Sequence, residues 1–325
     1  MPNYHWGVVG LGRIARSFAT YFAPGQTLYG VAAHDGDRAH AFAQEFNIPH
    51  AYGSYADLFA DPAIDIVYVA TTHNFHYANI KQALNAGKHV LAEKAITLSA
   101  TQLEELVALA AAKHLILMEA QTIYHMPLYA TLEKTVQEQH LGRLKTIQVS
   151  FGSHVPYAPT DRLLNPDLAG GALLDIGIYA LSFARRFMTA APKLVATQMV
   201  KTDTGVDGQS SFLLTNANNE QVTVALNLQA KMPKTGVVAY SEGYFTVDQY
   251  PRSQEALLTH PDGVIETLTA GDETKAMAYE ITDMAQAVAT GHNPTLQWTR
   301  EVMTLMSQTR EAWGFYYPGE QRPLV

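Results

Sequence analysis

Three side chains in this sequence could take part in a reaction that transfers a hydride and a proton. Asp175 and Tyr179 are four residues apart, directly after a glycine pair, so on a helix they share one face. A tyrosine acts as a general acid or base when a nearby cation brings its pKa below about 10. Lys94 is the candidate cation. The spacing alone is equally consistent with Tyr179 as a packed core aromatic and Asp175 as a helix-start carboxylate.

Lys94 itself has two interpretations. It could bond a substrate oxygen and favour the anion of a neighbouring proton donor, or it could be a surface lysine paired with Glu93. It lies just past an apolar strand, and ligands of parallel sheets bind at the carboxyl ends of the strands. That position favours the functional interpretation.

A glycine-rich turn near the N-terminus predicts a dinucleotide site. Gly10-x-Gly12-x-x-Ala15 follows a short apolar run and opens a segment whose apolar residues have helical spacing. Gly10 suits the tight turn, Gly12 the close approach of a pyrophosphate, and Ala15 close packing of helix on strand. Arg13 and Ile14, which open that helix, are therefore also expected at the cofactor.

Polar residues after the third predicted strand, Ile64 to Ala70, are expected beside the diphosphate and the nicotinamide ribose. The residues assigned to this contact are Thr71, Thr72, His73, Asn74 and His76, together with Glu93 and Lys94 after the next strand. A metal site at the two histidines is not expected, because the chain has no cysteine and no paired carboxylate at ligand spacing.

The end of the second predicted strand bears on the choice between NAD and NADP. Asp35 lies about 20 residues beyond the glycines, where an acid bonds the ribose 2′-hydroxyl of NAD. His34 and Arg38 could instead bind a 2′-phosphate. The sequence leaves this choice open.

Hydrophobic periodicity predicts the scaffold that positions these residues. Residues 1–122 alternate short apolar strands with amphipathic helices, which indicates a parallel sheet covered on both faces. Residues 123–325 contain longer strands, among them Leu144 to Gly152 and an alternating run from Val222 to Leu228, followed by two helices that are expected to pack back on the first domain. The predicted fold class is α/β: a Rossmann domain over 1–122, then an α+β domain whose large open sheet is mainly antiparallel.

Composition excludes several kinds of function. The chain has 325 residues, 47% of them hydrophobic, and a formal net charge of −8 without a dense basic run, so neither nucleic acid nor a membrane is an expected partner. Without cysteine it has no disulfide and no thiolate metal site. No signal peptide and no apolar run of the roughly 18 residues that span a membrane is apparent, so we expect a cytoplasmic protein.

These motifs, in this order, resemble the glucose-fructose oxidoreductase/inositol dehydrogenase/rhizopine catabolism (Gfo/Idh/MocA) family. The likeness spans nearly the whole chain, through Gly10 to Ala15, Thr71 to His76, Ala86 to Lys94, and Gly170 to Tyr179, and it extends to the closing helices. Within the family it is strongest to the dimeric dihydrodiol dehydrogenases and NADP-dependent D-xylose dehydrogenases. Those members also have tyrosine at the position of Tyr179 and a Thr-Gly-Val-Asp stretch, here Thr204 to Asp207.

The resemblance implies hydride transfer between NAD(P) and a carbinol of a sugar, polyol or vicinal diol. It implies Lys94 and Tyr179 as the catalytic pair and Asp175 as a substrate or orienting contact. Tyr179 would take the hydroxyl proton while Lys94 stabilises the developing alkoxide. It also implies a C-terminal substrate domain that forms a homodimer or a higher homo-oligomer through its sheet, and a slight preference for NADP, although His34 stands where NADP-using relatives have arginine.

Two departures from the family pattern limit these expectations. The usual Glu-Lys-Pro is Glu93-Lys94-Ala95 here, so the lysine loop is expected to be looser. The segment after Met118-Glu119-Ala120 also differs, so the substrate pocket should differ and the dihydrodiol or xylose substrate should not be assumed. The residues expected to contact it are Gln121, Tyr124, His125, Tyr157 and Arg162.

Two other functions remain open at this point. A dinucleotide-binding sensor would have no need of Lys94, Asp175 and Tyr179 together. NAD-dependent glycoside cleavage would need a metal or further acid–base groups that the sequence does not offer.

Overall fold

The computed structural model describes residues 1–156, 158, 160–318 and 320. The chain forms two compact units. The first contains Met1–Gln121 and Thr274–Gln297, and the second contains Thr122–Glu273 and the described residues from Trp298 onward.

The first unit is built on a six-stranded parallel sheet in the order β3-β2-β1-β4-β5-β6. This is the doubly wound order of a Rossmann fold, and it confirms the predicted fold class. The strands are β1 (His5–Val9), β2 (Thr27–Ala32), β3 (His50–Tyr52), β4 (Ile66–Val69), β5 (His89–Glu93) and β6 (Leu117–Ala120). The helices are α1 (Arg13–Thr20), α2 (Gly36–Phe46), α3 (Tyr55–Ala60), α4 (His73–Asn85), α5 (Ala100–Ala112) and α9 (Ala276–Thr290).

The core of this unit lies between the sheet and its helices. Trp6, Phe18 and Tyr68 are fully buried, and the Phe18 and Tyr68 rings stack with their centroids 3.9 Å apart. Met277 and Ile281 of α9 belong to the same core. Each such large apolar side chain stabilises the fold by roughly 1.5–3 kcal/mol through burial.

The second unit is built on an eight-stranded sheet in the order β14-β13-β12-β11-β7-β10-β9-β8. Only the β7–β10 pair is parallel among its described strand pairs, so the sheet is mainly antiparallel, as predicted. The strands are β7 (Leu144–Gly152), β8 (Lys193–Lys201), β9 (Asp207–Thr215), β10 (Gln221–Asn227), β11 (Met232–Tyr240), β12 (Gly243–Asp248), β13 (Glu255–Thr259) and β14 (Ile265–Thr269). The helices are α6 (Thr122–His125), α7 (Pro127–Glu138), α8 (Ile178–Phe187) and α10 (Leu296–Trp313).

One helical stretch of this unit has the length and hydropathy of a membrane-spanning helix, which the sequence did not predict for any segment. Pro166–Phe187 is long and apolar enough to cross a membrane by length and mean hydropathy, which is 1.3 over the best window. However, 78% of that window is buried inside the protein. This helix packs on β7. A helix in a protein core and a helix in a membrane have similar apolar compositions, because both environments exclude water.

Candidate active-site residues in the two units

The turn after β1 has the geometry that a pyrophosphate needs. Gly10 has φ of +88°, and a Cβ there would lie 2.7 Å from the backbone of Ala70 and Thr71, so only glycine fits. Gly12 is the N-cap of α1, and a Cβ there would meet nothing within 4 Å. In the described chain no side chain caps α1, so its first N–H groups are open to an anion. These residues fit a dinucleotide.

The start of α2 lies where an adenosine ribose would be selected. Asp35 is its N-cap, and its Oδ1 accepts a hydrogen bond from the backbone N–H of Asp37 at 3.0 Å. Arg38 Nη2 donates to the carbonyl oxygen of Leu11 at 2.7 Å, which places the guanidinium beside the glycine turn. The His34 ring lies against Tyr55, with 4.4 Å between centroids. His34, Asp35 and Arg38 are all exposed, so an imidazole, a carboxylate and a guanidinium remain available to a ligand.

The two histidines after β4 have a different position from the one expected. His73 is the first residue of α4 and His76 is the fourth, and both side chains are buried. His73 Nε2 lies 3.1 Å from the carbonyl oxygen of Lys94, and His76 Nδ1 lies 2.9 Å from that of Ala95. His76 Nε2 also lies 2.9 Å from the carbonyl oxygen of Thr71, and burial lowers the pKa of its ring. The rings therefore connect two loops of the unit, whereas Thr71, Thr72 and Asn74 are only half-buried.

The lysine loop is held more firmly than the missing proline suggests. The Lys94–Ala95 peptide bond is cis. The carbonyl oxygen of Lys94 lies against the His73 ring, and that of Ala95 lies against the His76 ring. On the far side of the loop, the backbone N–H of Ile96 donates to Glu119 Oε1 at 3.1 Å. Glu93 accepts a hydrogen bond from the Tyr68 hydroxyl. Buried side chains thus hold the loop, and Lys94 itself is half-buried.

In the second unit, Tyr179 and Asp175 lie on one continuous helical segment. Asp175 is in a π-helical turn, Leu173–Gly177, and Tyr179 is the second residue of α8. The Tyr179 ring is 6.2 Å from the ring of Phe151, at the carboxyl end of β7. Both Asp175 and Tyr179 are half-buried, which leaves part of each side chain accessible to solvent. Single-turn π-helical segments are frequent at functional sites.

Two positively charged side chains, Arg162 and Lys234, act on Asp175, and the sequence predicted only Arg162. Arg162, a predicted substrate contact, has its Nη2 3.2 Å from Asp175 Oδ1. Lys234 Nζ lies over the Phe151 ring, 4.8 Å from its centroid. Burial and the nearby Lys231 lower the pKa of Lys234, and Asp175 opposes that shift. Lys231, just before β11, and Lys234, within it, were not predicted as site residues, although two lysines three residues apart are visible in the sequence.

The remaining predicted substrate contacts have varied positions. Gln121 follows β6 and is fully buried, and no described residue reaches either polar atom of its amide with a hydrogen bond. Tyr124 donates its hydroxyl proton to Ser182 Oγ at 3.1 Å, so that group serves the core of the second unit. His125 is buried. Tyr157 lies outside the described residues.

A cavity of about 910 Å³ opens elsewhere in the second unit. Leu144 and Tyr240 line it, as do the ion pair of Arg186 with Glu133 and the buried Glu220. Leu144 begins β7, whereas Phe151 beside Tyr179 is near its end, a separation of about 23 Å along the strand. None of the predicted site residues that the structure describes lines this cavity. Among the described residues, no group of three or more acidic or histidine side chains is placed to hold a metal.

The fold and the glycine turn define a class, the NAD(P)-binding oxidoreductases with a Rossmann domain. Comparison with family models gives the family. The model described as "Oxidoreductase family, NAD-binding Rossmann fold" matches residues 4–121, and the "GFO/IDH/MocA C-terminal domain" matches residues 129–246. The chain belongs to the Gfo/Idh/MocA family, and it is a dehydrogenase or reductase that uses NAD(P).

Individual relatives support this assignment. Trans-1,2-dihydrobenzene-1,2-diol dehydrogenase of Xenopus laevis is 30% identical over 329 residues, which cover 96% of this chain and 99% of that protein. The protein of the same name from Homo sapiens is 34% identical over 246 residues, 73% of this chain and 72% of that protein.

Two solved structures have the same fold. KijD10, a 3-ketoreductase from Actinomadura kijaniata in complex with NADP and TDP-benzene, has a TM-score of 0.86 at 26% identity, over 95% of this chain and 97% of that one. A levoglucosan dehydrogenase in complex with NADH and levoglucosan has a TM-score of 0.85 at 18% identity, over 96% and 97% of the two chains. At that identity the second likeness concerns the fold alone.

Proposed function

We propose that this protein transfers a hydride between NAD(P) and a carbinol of a sugar, polyol or vicinal diol, with Lys94 and Tyr179 as the catalytic pair. The observation that carries the proposal is the lysine loop. Two buried histidines and Glu119 hold the backbone of Lys94 and of the two residues after it, at the carboxyl end of the parallel sheet. A lysine with only a surface role would not need a loop held by three buried side chains.

In the oxidative direction, the nicotinamide supplies the hydride acceptor. The carbinol C–H bond breaks with its electron pair, and the O–H proton passes to the Tyr179 oxygen, so that a carbonyl forms. Lys94 stabilises the negative charge that develops on the substrate oxygen and favours the anionic form of the tyrosine. Asp175, paired with Arg162, orients the substrate hydroxyls. In the reductive direction each transfer reverses.

The names of the relatives support the substrate class. The Xenopus and human relatives are named for a dihydrobenzene diol, and KijD10 is a 3-ketoreductase solved with NADP and TDP-benzene. In each case a hydroxyl-bearing or carbonyl-bearing ring carbon is compatible with hydride transfer. In the second unit, Arg162 and Lys234 near Asp175 are polar groups available to such a ring.

For the cofactor, the first turn of α2 favours NADP slightly. Arg38 is exposed beside the glycine turn and His34 is exposed against Tyr55, whereas the Asp35 carboxylate already accepts a hydrogen bond from its own helix. An exposed guanidinium binds a 2′-phosphate more strongly than a single engaged carboxylate repels it.

The proposal is tested by absorbance at 340 nm with NAD⁺ and NADP⁺ in parallel, against aldoses, inositols and vicinal diols, with cofactor titrations alongside. Reduction of either cofactor by a member of the panel supports the proposal. Tight cofactor binding with no turnover in either direction contradicts it and favours a sensor.

We also propose a homodimer or higher homo-oligomer formed through the open sheet. α8 packs on one face of β7, β10 and β11. The opposite face carries a cross-strand row of uncharged residues, four of them apolar, which are Ala196, Leu213, Thr223, Gln148, Val237, Thr246 and Leu257. Leu213 and Leu257 are 39% and 37% exposed, which is costly unless another surface covers them. Light scattering of the wild type and of Val237→Glu tests this, and a monomeric wild type would contradict it.

A further inference from the structure

A buried carboxylate lies at the beginning of the helical segment that carries Asp175 and Tyr179. It belongs to Asp207, the first residue of β9, which is fully buried. Its Oδ2 accepts a hydrogen bond from the backbone N–H of Leu173, with 2.6 Å between the atoms. The two residues are 34 apart in the chain, so this helix cap comes from a distant strand.

The glycine before the helix makes this approach possible. Gly171 has φ of +123°, and a Cβ there would lie 1.9 Å from Asp207 Oδ1. Any other residue would displace the carboxylate. The position of the Asp207 carboxylate therefore requires glycine at position 171. The contact cannot be predicted from the Thr204–Asp207 stretch or from the glycine pair at 170–171 alone.

Other buried groups fix the same turn. The Tyr317 hydroxyl donates to the carbonyl oxygen of Gly170 at 2.9 Å. Arg310 is buried, pairs with Glu320, and lies 5.1 Å from the centre of the Tyr317 ring. Burial raises the pKa of the Asp207 carboxyl, and the Arg310 guanidinium opposes that shift. Burial and the Asp207 charge raise the pKa of the Tyr317 hydroxyl. The turn is thus enclosed by a charged cluster that contains two carboxylates and one guanidinium.

A helix start needs such a partner because its first N–H groups have no acceptor within the helix. Ala172 precedes the π-helical turn and provides no side-chain cap. A carboxylate at this place forms a charge-assisted hydrogen bond and interacts favourably with the helix dipole. Asp175 lies two residues beyond the capped N–H, and Tyr179 six residues beyond it.

We propose that Asp207 is a positioning residue for Asp175 and Tyr179: its carboxylate holds the start of their helix in place. The part of this inference that concerns turnover rests on the proposed function. The part that concerns the helix does not, and the experiment separates them.

The test uses Asp207→Asn, which keeps the shape of the side chain but removes its charge and places an N–H₂ group against backbone N–H groups. Asp203→Asn is the matched control, because Asp203 is exposed in the same connection between β8 and β9. Hydrogen exchange followed by mass spectrometry at pH 8 is expected to be roughly fivefold faster over residues 172–176 in Asp207→Asn, the scale of a lost cap. Exchange in α10 and in the control should not change.

Turnover is measured on the same variants with any substrate that the panel identifies. Asp207→Asn is expected to lower kcat by about tenfold or more, with KM and the cofactor Kd within about twofold of wild type. In a Tyr179→Phe background the same change should add less than about twofold, because both changes affect one group.

Unchanged exchange at the helix start overturns the proposal, and so do independent, multiplicative losses of kcat. A helix start that exchanges faster in a protein that turns over nothing contradicts the proposed function and not the cap. If Asp207→Asn does not fold, Tyr317→Phe removes the hydrogen bond to Gly170 in the same turn. That variant must then speed exchange over residues 171–175, and no change there overturns the proposal.

Discussion

Glu119 Oε1 accepts a hydrogen bond from the backbone N–H of Ile96, two residues past Lys94, with 3.1 Å between the atoms. Glu119 is 1% exposed on β6, so the bond ties the lysine loop to the interior of the first unit. Family members with Glu-Lys-Pro have proline where this chain has Ala95. Here the backbone is restrained by contacts from β6 and α4.

We therefore expect Glu119→Ala to impair turnover strongly. The substitution leaves the buried N–H of Ile96 without its acceptor, which costs about 1–3 kcal/mol, and releases the loop that places Lys94. Glu119→Gln keeps an oxygen at the same place and serves as the control, with activity close to wild type. Measurement of kcat and of the thermal midpoint for both variants checks this, and equal loss in the two would contradict it.

Tyr179→Phe should lower kcat by roughly 10²-fold or more, the usual scale for loss of a general acid–base group. Cofactor affinity, measured by fluorescence titration of NAD(P)H, should hardly change, because the ring and its packing on Phe151 remain. Undiminished turnover would remove Tyr179 from the mechanism.

The two glycines of the first turn should respond in opposite ways to alanine. At Gly10 the new Cβ would lie 2.7 Å from the Ala70 backbone at positive φ, so the variant should be destabilised by roughly 1–3 kcal/mol. At Gly12 the Cβ meets nothing within 4 Å, so stability should be unchanged while cofactor affinity falls about tenfold. Thermal denaturation and cofactor titration of both variants separate the two effects. A stable Gly10→Ala variant would contradict the first expectation.

Arg38→Gln should raise KM for NADP⁺ by about tenfold and leave KM for NAD⁺ nearly unchanged, because it removes the cation available to a 2′-phosphate. Arg16→Gln is the control, since Arg16 is an exposed cation of α1 that pairs with Glu45. Equal effects of Arg38→Gln on both cofactors would show that the guanidinium acts through its bond to Leu11 instead.

The stability of the protein should depend on pH through Asp207. Burial raises the pKa of this carboxyl from 3.8 to about 7 in the folded protein. Between about pH 4 and 7 the folded state therefore holds a proton that the unfolded chain has released, and this group makes stability fall as pH rises through that range. A shift of about three units corresponds to roughly 4 kcal/mol, of which about 2 kcal/mol falls between pH 5.5 and 8. Urea unfolding at pH 5.5 and 8 should show this component in wild type and not in Asp207→Asn, and identical pH dependence of the two would contradict it.

The architecture was largely predictable because the signals for it are local. The spacing of glycines and the change from short buried runs to alternating strands are read within ten to twenty residues, and the predicted strand over 144–152 has the observed bounds. The short β3 and α3 were not predicted. A strand of three residues and a helix of six are too short for a period to be recognised.

The sequence by itself determined the Rossmann order, the open sheet, the dinucleotide turn and the residue types from which the chemistry is inferred. Only the tertiary structure decided which side chains hold those residues in place. His76, Glu119 and Asp207 each act on a backbone group 19 to 34 residues away, and Lys234 of strand β11 acts on Asp175 in the π-helical turn. Such contacts depend on where the fold brings distant segments together, and no local pattern of spacing or hydrophobicity encodes that.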